Sequence, residues 1–143
     1  MPSGRRSKPP ETDSPVFFLD RSLGRVHVAA ALRDRGLDVV LMAEFYPDGS
    51  DQRIADDQWI ADVSAIGHVA LTKDTNLIRD HRSVLGRSTL RLFAIDTAKL
   101  TGPEMAERVD RHLDRILLRA RKPGPYAYVI HKEDLELRWR PGE

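Results

Sequence analysis

Apolar positions recur along this chain in two rhythms, short unbroken runs and stretches repeating every three to four residues, and the two alternate. The run at 16–19, VFFL, predicts a buried strand that ends at Asp20. Val26, Ala29, Ala30 and Leu32 then give an apolar side to a helix predicted over residues 23–35, and Gly36 is placed to end it. Residues 38–42 predict a second buried strand, and 43–53, with Pro47, Asp48 and Gly49, a loop. A helix over 54–65 buries Trp59, Ile60 and Val63 and stops at Gly67. HVALT at 68–72 reads as a third strand running into Lys73 and Asp74, followed by a short turn or helix through Leu77 and Ile78. A fourth strand over 90–95 ends at Asp96.

Beyond Thr101-Gly102-Pro103 the spacing of Met105, Val109, Leu113, Ile116, Leu117 and Ala120 predicts one long helix, capped by Thr101 and stopped by Pro123-Gly124-Pro125. The stretch YAYVIHKEDLELRW then predicts two strands about a turn at 132–134. Strand and helix in alternation predict an α/β fold of three layers: a mainly parallel central sheet, helices on both faces, and a C-terminal antiparallel hairpin at its edge. Residues 1–14, rich in Pro, Ser and charge, read as a disordered tail ahead of one domain over 15–143.

Composition narrows the chemistry. A chain of 143 residues suits one hydrophobic core. The absence of cysteine excludes a disulfide scaffold, a thiolate zinc site and a cysteine nucleophile, and fits a reducing cytoplasm. No apolar run is long enough to span a membrane, and the N-terminus has no apolar segment of signal-peptide type. The net charge of +1 gives no global attraction to nucleic acid, so any such binding must come from local patches.

Acidic residues are distributed unevenly. Between Leu37 and Asp62 seven acidic residues face one arginine. In a parallel sheet every strand's carboxyl end lies on one edge, where the next helix begins and where ligand sites form. Asp20 ends the first strand, Asp74 follows the third, Asp56 and Asp57 open the helix after the second, and Asp96 ends the fourth. Each of these suits a helix cap on its own; their gathering on one edge is what points to a site. Clustered carboxylates repel, and a hard cation such as Mg²⁺ or Mn²⁺ offsets that repulsion and can promote phosphodiester hydrolysis. Asp48, Asp51 and Asp62 read as solvated.

At these residues the sequence resembles the PIN-like domains, and most of all the small bacterial toxins of VapC type. The matching pieces are FFLDRSLG at 17–24, RDRGLDVV at 33–40, DDQWI at 56–60 and GHVALTKDTNLI at 67–78, spread over the region 16–100. The resemblance implies a PIN-like three-layer sandwich and a metal-dependent endoribonuclease, often the toxin of a toxin–antitoxin pair. It puts Asp20, Asp56 and Asp74 on the family's acidic positions, with Asp56 preferred to Asp57 because it precedes Trp59 by three. The fourth acidic position has no clear counterpart; Asp96 and Glu44 are the candidates. One or two Mg²⁺ or Mn²⁺ ions would sit on these carboxylates, with water attacking phosphorus in line and Thr72 or Asn76 donating to water or carboxylate. A cognate antitoxin and a homodimer are further implications, although no dimer seam is visible in the sequence.

Lys73, Asn76, Arg79 and Arg82 flank or follow Asp74 and are candidates to hold substrate phosphate, with Arg87 beyond them. Arg108, Arg111, Arg115, Arg119 and Lys122 share a helix face that reads as a solvated surface with i,i+4 pairs to Glu104 and Glu107. The five histidines show no ligand spacing. Trp59 and Phe45 lie where a base could stack, though Trp59 fits the core. A nucleotide-binding module lacks its glycine-rich loop, and a phosphoaspartate receiver or phosphatase lacks its second aspartate. The remaining alternative is a catalytically weak or inactive PIN-like module that binds RNA or a protein partner without cutting.

Overall fold

The computed structural model describes residues 14–96 and 99–142. Apart from Ser14, the tail predicted at 1–14 lies outside the described residues. The strands are β1 (Val16–Leu19), β2 (Asp38–Leu41), β3 (Val69–Thr72), β4 (Arg91–Ile95), β5 (Tyr126–Ile130) and β6 (Leu135–Trp139). The helices are α1 (His27–Asp34), α2 (Met42–Phe45), α3 (Asp56–Ala65), α4 (Asn76–Asp80), α5 (Arg82–Gly86), α6 (Gly102–Arg111) and α7 (Leu113–Ala120). The strands form one sheet in the order β2-β1-β3-β4-β5-β6, parallel throughout except that β6 runs antiparallel to β5. The architecture is the predicted one.

Alternating side chains of each strand serve opposite faces. Phe17, Leu19, Val69, Leu71, Phe93 and Ile95 pack beneath α1, α6 and α7. Phe18, Ala70, Leu92, Ala94 and Val129 face α3, α4 and α5. Trp59 is fully buried in that second layer, its ring 5.1 Å from Phe18, so it belongs to the core and not to a base-stacking surface. Burial of a side chain of this size stabilises the fold by ~3 kcal/mol.

Several local expectations change. The helix predicted over 23–35 is a 3₁₀ turn, Arg21–Leu23, followed by α1. The predicted loop at 43–53 contains α2 and a second 3₁₀ turn, Ser50–Arg53. The segment after Asp74 is two short helices, not one turn. The long C-terminal helix is interrupted at His112, a buried residue whose Nε2 lies 3.0 Å from the Lys132 carbonyl and whose amide donates to the carbonyl of Val109, three residues back, rather than to that of Arg108, four back. Its apolar stripe nevertheless continues across the break, since Val109, Leu113 and Ile116 are all buried. Thr101 caps α6 as predicted, accepting from the Glu104 amide at 3.3 Å while Glu104 accepts from the Thr101 amide at 2.8 Å. Among the described residues no helix is long and apolar enough to cross a membrane.

For the site, one feature of the topology matters most. The chain leaves β1 to lay down β2 on one side and then crosses to β3 on the other. The crevice outside the carboxyl ends of β1 and β3 is therefore the sheet's switch point, where open α/β sheets bind ligands.

Candidate metal and phosphodiester site

Asp20 stands at that switch point. Its amide continues the β1–β3 ladder by donating to the Leu71 carbonyl at 3.2 Å, and its side chain then caps the Arg21–Leu23 turn. Two hydroxyls fix the carboxylate. Thr72 Oγ1 donates to Oδ2 at 2.6 Å, and Ser22 donates from both its amide, at 3.0 Å, and its hydroxyl to Oδ1. The same hydroxyls accept from the backbone of the next segment: Ser22 Oγ from the Lys73 amide at 2.9 Å and Thr72 Oγ1 from the Asp74 amide at 3.1 Å. Asp20 is thereby joined through two side chains to the chain entering Asp74.

Asp20 is 5 % exposed. Burial pushes its pKa above the usual carboxylate range, and the neighbouring Asp56 carboxylate adds to the rise; the bonds from Ser22 and Thr72 work in the opposite direction. Among the described residues no basic side chain forms an ion pair with it. A buried carboxylate that feels the charge of a second one is an arrangement that a bound cation would relieve.

Asp56 opens α3. Trp59 Nε1 donates to its Oδ1 at 2.9 Å, which gives the three-residue spacing a physical meaning, and His81 Nε2 lies 3.4 Å from its Oδ2. Asp57 is turned outward, its Oδ1 2.5 Å from His81 Nδ1. Asp74 is exposed and its Oδ1 accepts from the Asn76 amide at 3.0 Å, so it also holds the first turn of α4. Among the described residues no group of three or more histidine or acidic side chains is arranged to hold one ion directly.

Asp96 lies on the same edge, two strands from β1 and so roughly 10 Å away at the backbone. Its carboxylate turns to His131, Oδ2 to Nδ1 at 2.7 Å, and its carbonyl accepts from Arg108 at 2.6 Å. Glu44 accepts from the Leu41 amide at 2.8 Å. Both candidates for a fourth acid therefore have structural partners away from Asp20.

Two expectations need correction. Asp51 is not solvated; it is 3 % exposed and lines, with Asp20, Arg21 and Met42, a cavity of about 100 Å³. Arg21 makes this so by donating to the carbonyls of Asp51 at 2.7 Å and Ile54 at 2.6 Å, drawing the 50–54 segment against the site. The basic face of α6 and α7 is not simply solvated either, since Arg108 reaches Asp96 and Arg111 pairs with Glu133 at 3.1 Å. Sequence reasoning passed over Arg21 and Ser22. The spacing of Ser22 two residues after Asp20 is a turn signal that could have found the second.

Lys73 is half-buried beside Ser22, while Arg79 and Arg82 are exposed. Arg79 pairs with Asp80 at 2.9 Å. With Thr75, Asn76 and Arg138 these two arginines line a depression of about 270 Å³ next to the Asp74 turn. Arg138, which comes from β6, could not be foreseen from its position in the sequence.

The family model described as "PIN like domain" matches residues 15–97. The chain is 37% identical over 118 residues to a curated protein of Mycobacterium tuberculosis named "Putative ribonuclease VapC45", covering 80% of this chain and 85% of that one. No solved structure matches.

Proposed function

From the premise that the chain belongs to the PIN-like domain family, we propose that it is a divalent-metal-dependent endoribonuclease of VapC type, the toxin of a toxin–antitoxin pair. The observation that carries this reading is the buried Asp20 carboxylate at the switch point, held by Ser22 and Thr72 and close enough to Asp56 to feel its charge. The donor set fits the metal. It is all oxygen, with no thiol, and Mg²⁺ keeps several waters and takes one or two carboxylates rather than a full protein cage. Asp20 and Asp56 would hold Mg²⁺ or Mn²⁺, with Asp74 completing the acidic rim through water. Asp57 and Asp96 would stay outside the ligand set.

The bound ion supplies activation of water and stabilisation of charge on the phosphodiester. The protein's own groups do the rest. Ser22 and Thr72 donate to Asp20 and keep its oxygens acceptor-only, with lone pairs left for a cation or its waters. Trp59 holds Asp56 at the rim. Lys73, Asn76, Arg79 and Arg82 would take the phosphates on either side of the scissile bond, positioning the RNA without reading its sequence. A cognate antitoxin would cover the acidic rim, self-association into a homodimer accompanies this reading, and the site of action would be the cytoplasm.

The test is cleavage of RNA by purified protein with Mg²⁺ or Mn²⁺, with EDTA, and by Asp20→Asn and Asp74→Asn. Cutting that EDTA and both substitutions abolish supports the enzyme. The absence of a direct three-carboxylate cage among the described residues favours the second reading, a weak or inactive module that binds RNA or a partner. RNA binding without cutting in any metal would select it.

A further inference from the structure

His81 lies between α4 and α5, at the far end of the segment that Asp74 begins, and its ring meets the first turn of α3. Nδ1 is 2.5 Å from Asp57 Oδ1 and Nε2 is 3.4 Å from Asp56 Oδ2. The imidazole is therefore held between two consecutive carboxylates on another element, 24 residues away. The two carboxylates are not equivalent. The Asp57 side chain is 67% exposed, whereas that of Asp56 is 32% exposed and is gripped on its other oxygen by Trp59.

We propose that His81 is a positioning residue of the carboxylate site: anchored on one nitrogen by Asp57, it presents the other to Asp56 and sets the orientation of the Asp56 carboxylate. This rests on the reading of Asp20 and Asp56 as metal-holding groups. It gives Asp57 a distinct role. One ring nitrogen's partner fixes which way the other nitrogen points, so Asp57 orients His81 rather than touching the ion. Side chains that hold a ligating carboxylate in place typically govern metal affinity by about 10- to 100-fold without touching the metal. The contact also ties the third acidic segment to the second, because the 74–81 stretch cannot move without moving the ring that steadies Asp56.

The test compares His81→Ala, His81→Gln and His81→Asn with wild type and Asp20→Asn. Mn²⁺ binding is read by electron paramagnetic resonance of the free ion, and the Tm of metal-free protein is measured in parallel. Glutamine places its amide nitrogen near the site of Nε2, asparagine near that of Nδ1. His81→Ala should weaken Mn²⁺ binding about 10-fold or more, His81→Gln should recover most of the loss, and His81→Asn should not. A merely structural histidine would lower Tm in all three without separating glutamine from asparagine in Mn²⁺ affinity, and that result overturns the proposal. So does wild-type affinity in His81→Ala when Asp20→Asn has lost binding. If wild type and Asp20→Asn bind Mn²⁺ equally, the carboxylate site itself is misread and the role of His81 falls with it.

Discussion

Thr72 is one of the two side chains that hold the Asp20 carboxylate, and replacing it with valine removes its hydroxyl while keeping its shape. Thr72 is fully buried, donates to Asp20 Oδ2 at 2.6 Å and accepts from the Asp74 amide at 3.1 Å. A hydrogen bond to a charged group contributes ~1.5–3 kcal/mol and a neutral one ~1 kcal/mol, so Thr72→Val should cost about 2–4 kcal/mol at neutral pH. Thr72→Ser keeps both bonds and loses one buried methyl, for about 1 kcal/mol. The loss in the valine variant should also depend on pH. Asp20 has a folded pKa raised above its ordinary 3.8, so its protonated form is favoured by folding. That contribution is complete below the ordinary carboxylate pKa and disappears as pH rises through the folded value. Thr72 opposes the rise, and without it the decline with pH becomes steeper. Urea unfolding at several pH values measures this directly. The penalty of Thr72→Val over wild type should be largest at neutral pH and shrink as pH falls below 3.8, where Asp20 is mostly protonated. A penalty under about 0.5 kcal/mol at pH 7, or one that does not change with pH, refutes the account of how Asp20 is held.

Two further outcomes follow from the contacts around the site. Arg21→Ala should release the carbonyls of Asp51 and Ile54, lower stability by about 1–3 kcal/mol and speed amide hydrogen exchange over residues 47–55 before anywhere else; uniform acceleration would contradict a local role. His131 sits between Asp96 and Glu136, the latter's pKa lowered to about 2, and the bonds to Glu136 and Asp96 raise the histidine's pKa above 6.5. Its stabilising contribution is complete below pH 6.5 and lost as pH rises through the folded value, so His131→Gln should flatten that limb of the pH–stability curve, and an unchanged slope would count against the pairing.

The large features of this fold are legible in the sequence because they depend on periodicity. The runs at 16–19, 69–72 and 91–95 are buried on both faces, as parallel strands under two helical layers must be. Once the strands run parallel, Asp20, Asp74 and Asp96 have to share an edge, which needs no knowledge of side-chain contacts. The hidden details depend on pairs of elements meeting in space. Asp51 reads as a loop aspartate until Arg21 reaches across to that loop. His81 carries no ligand spacing, because its partners lie on a different helix. Asp96 turns from the rim because β5 brings His131 alongside it, an outcome that follows from strand order and not from local pattern. The interruption at His112 is likewise set by a carbonyl of the distant hairpin.

A crystal of the protein soaked in Mn²⁺, with the ion located by its anomalous scattering, reaches the central claim most directly. The account predicts a peak within direct or single-water reach of both the Asp20 and Asp56 carboxylates, with Asp74 in its outer shell and Asp96 still on His131. A peak that lies only beside Asp96 and Glu136, or crystals saturated with Mn²⁺ that show nothing at Asp20, would contradict it.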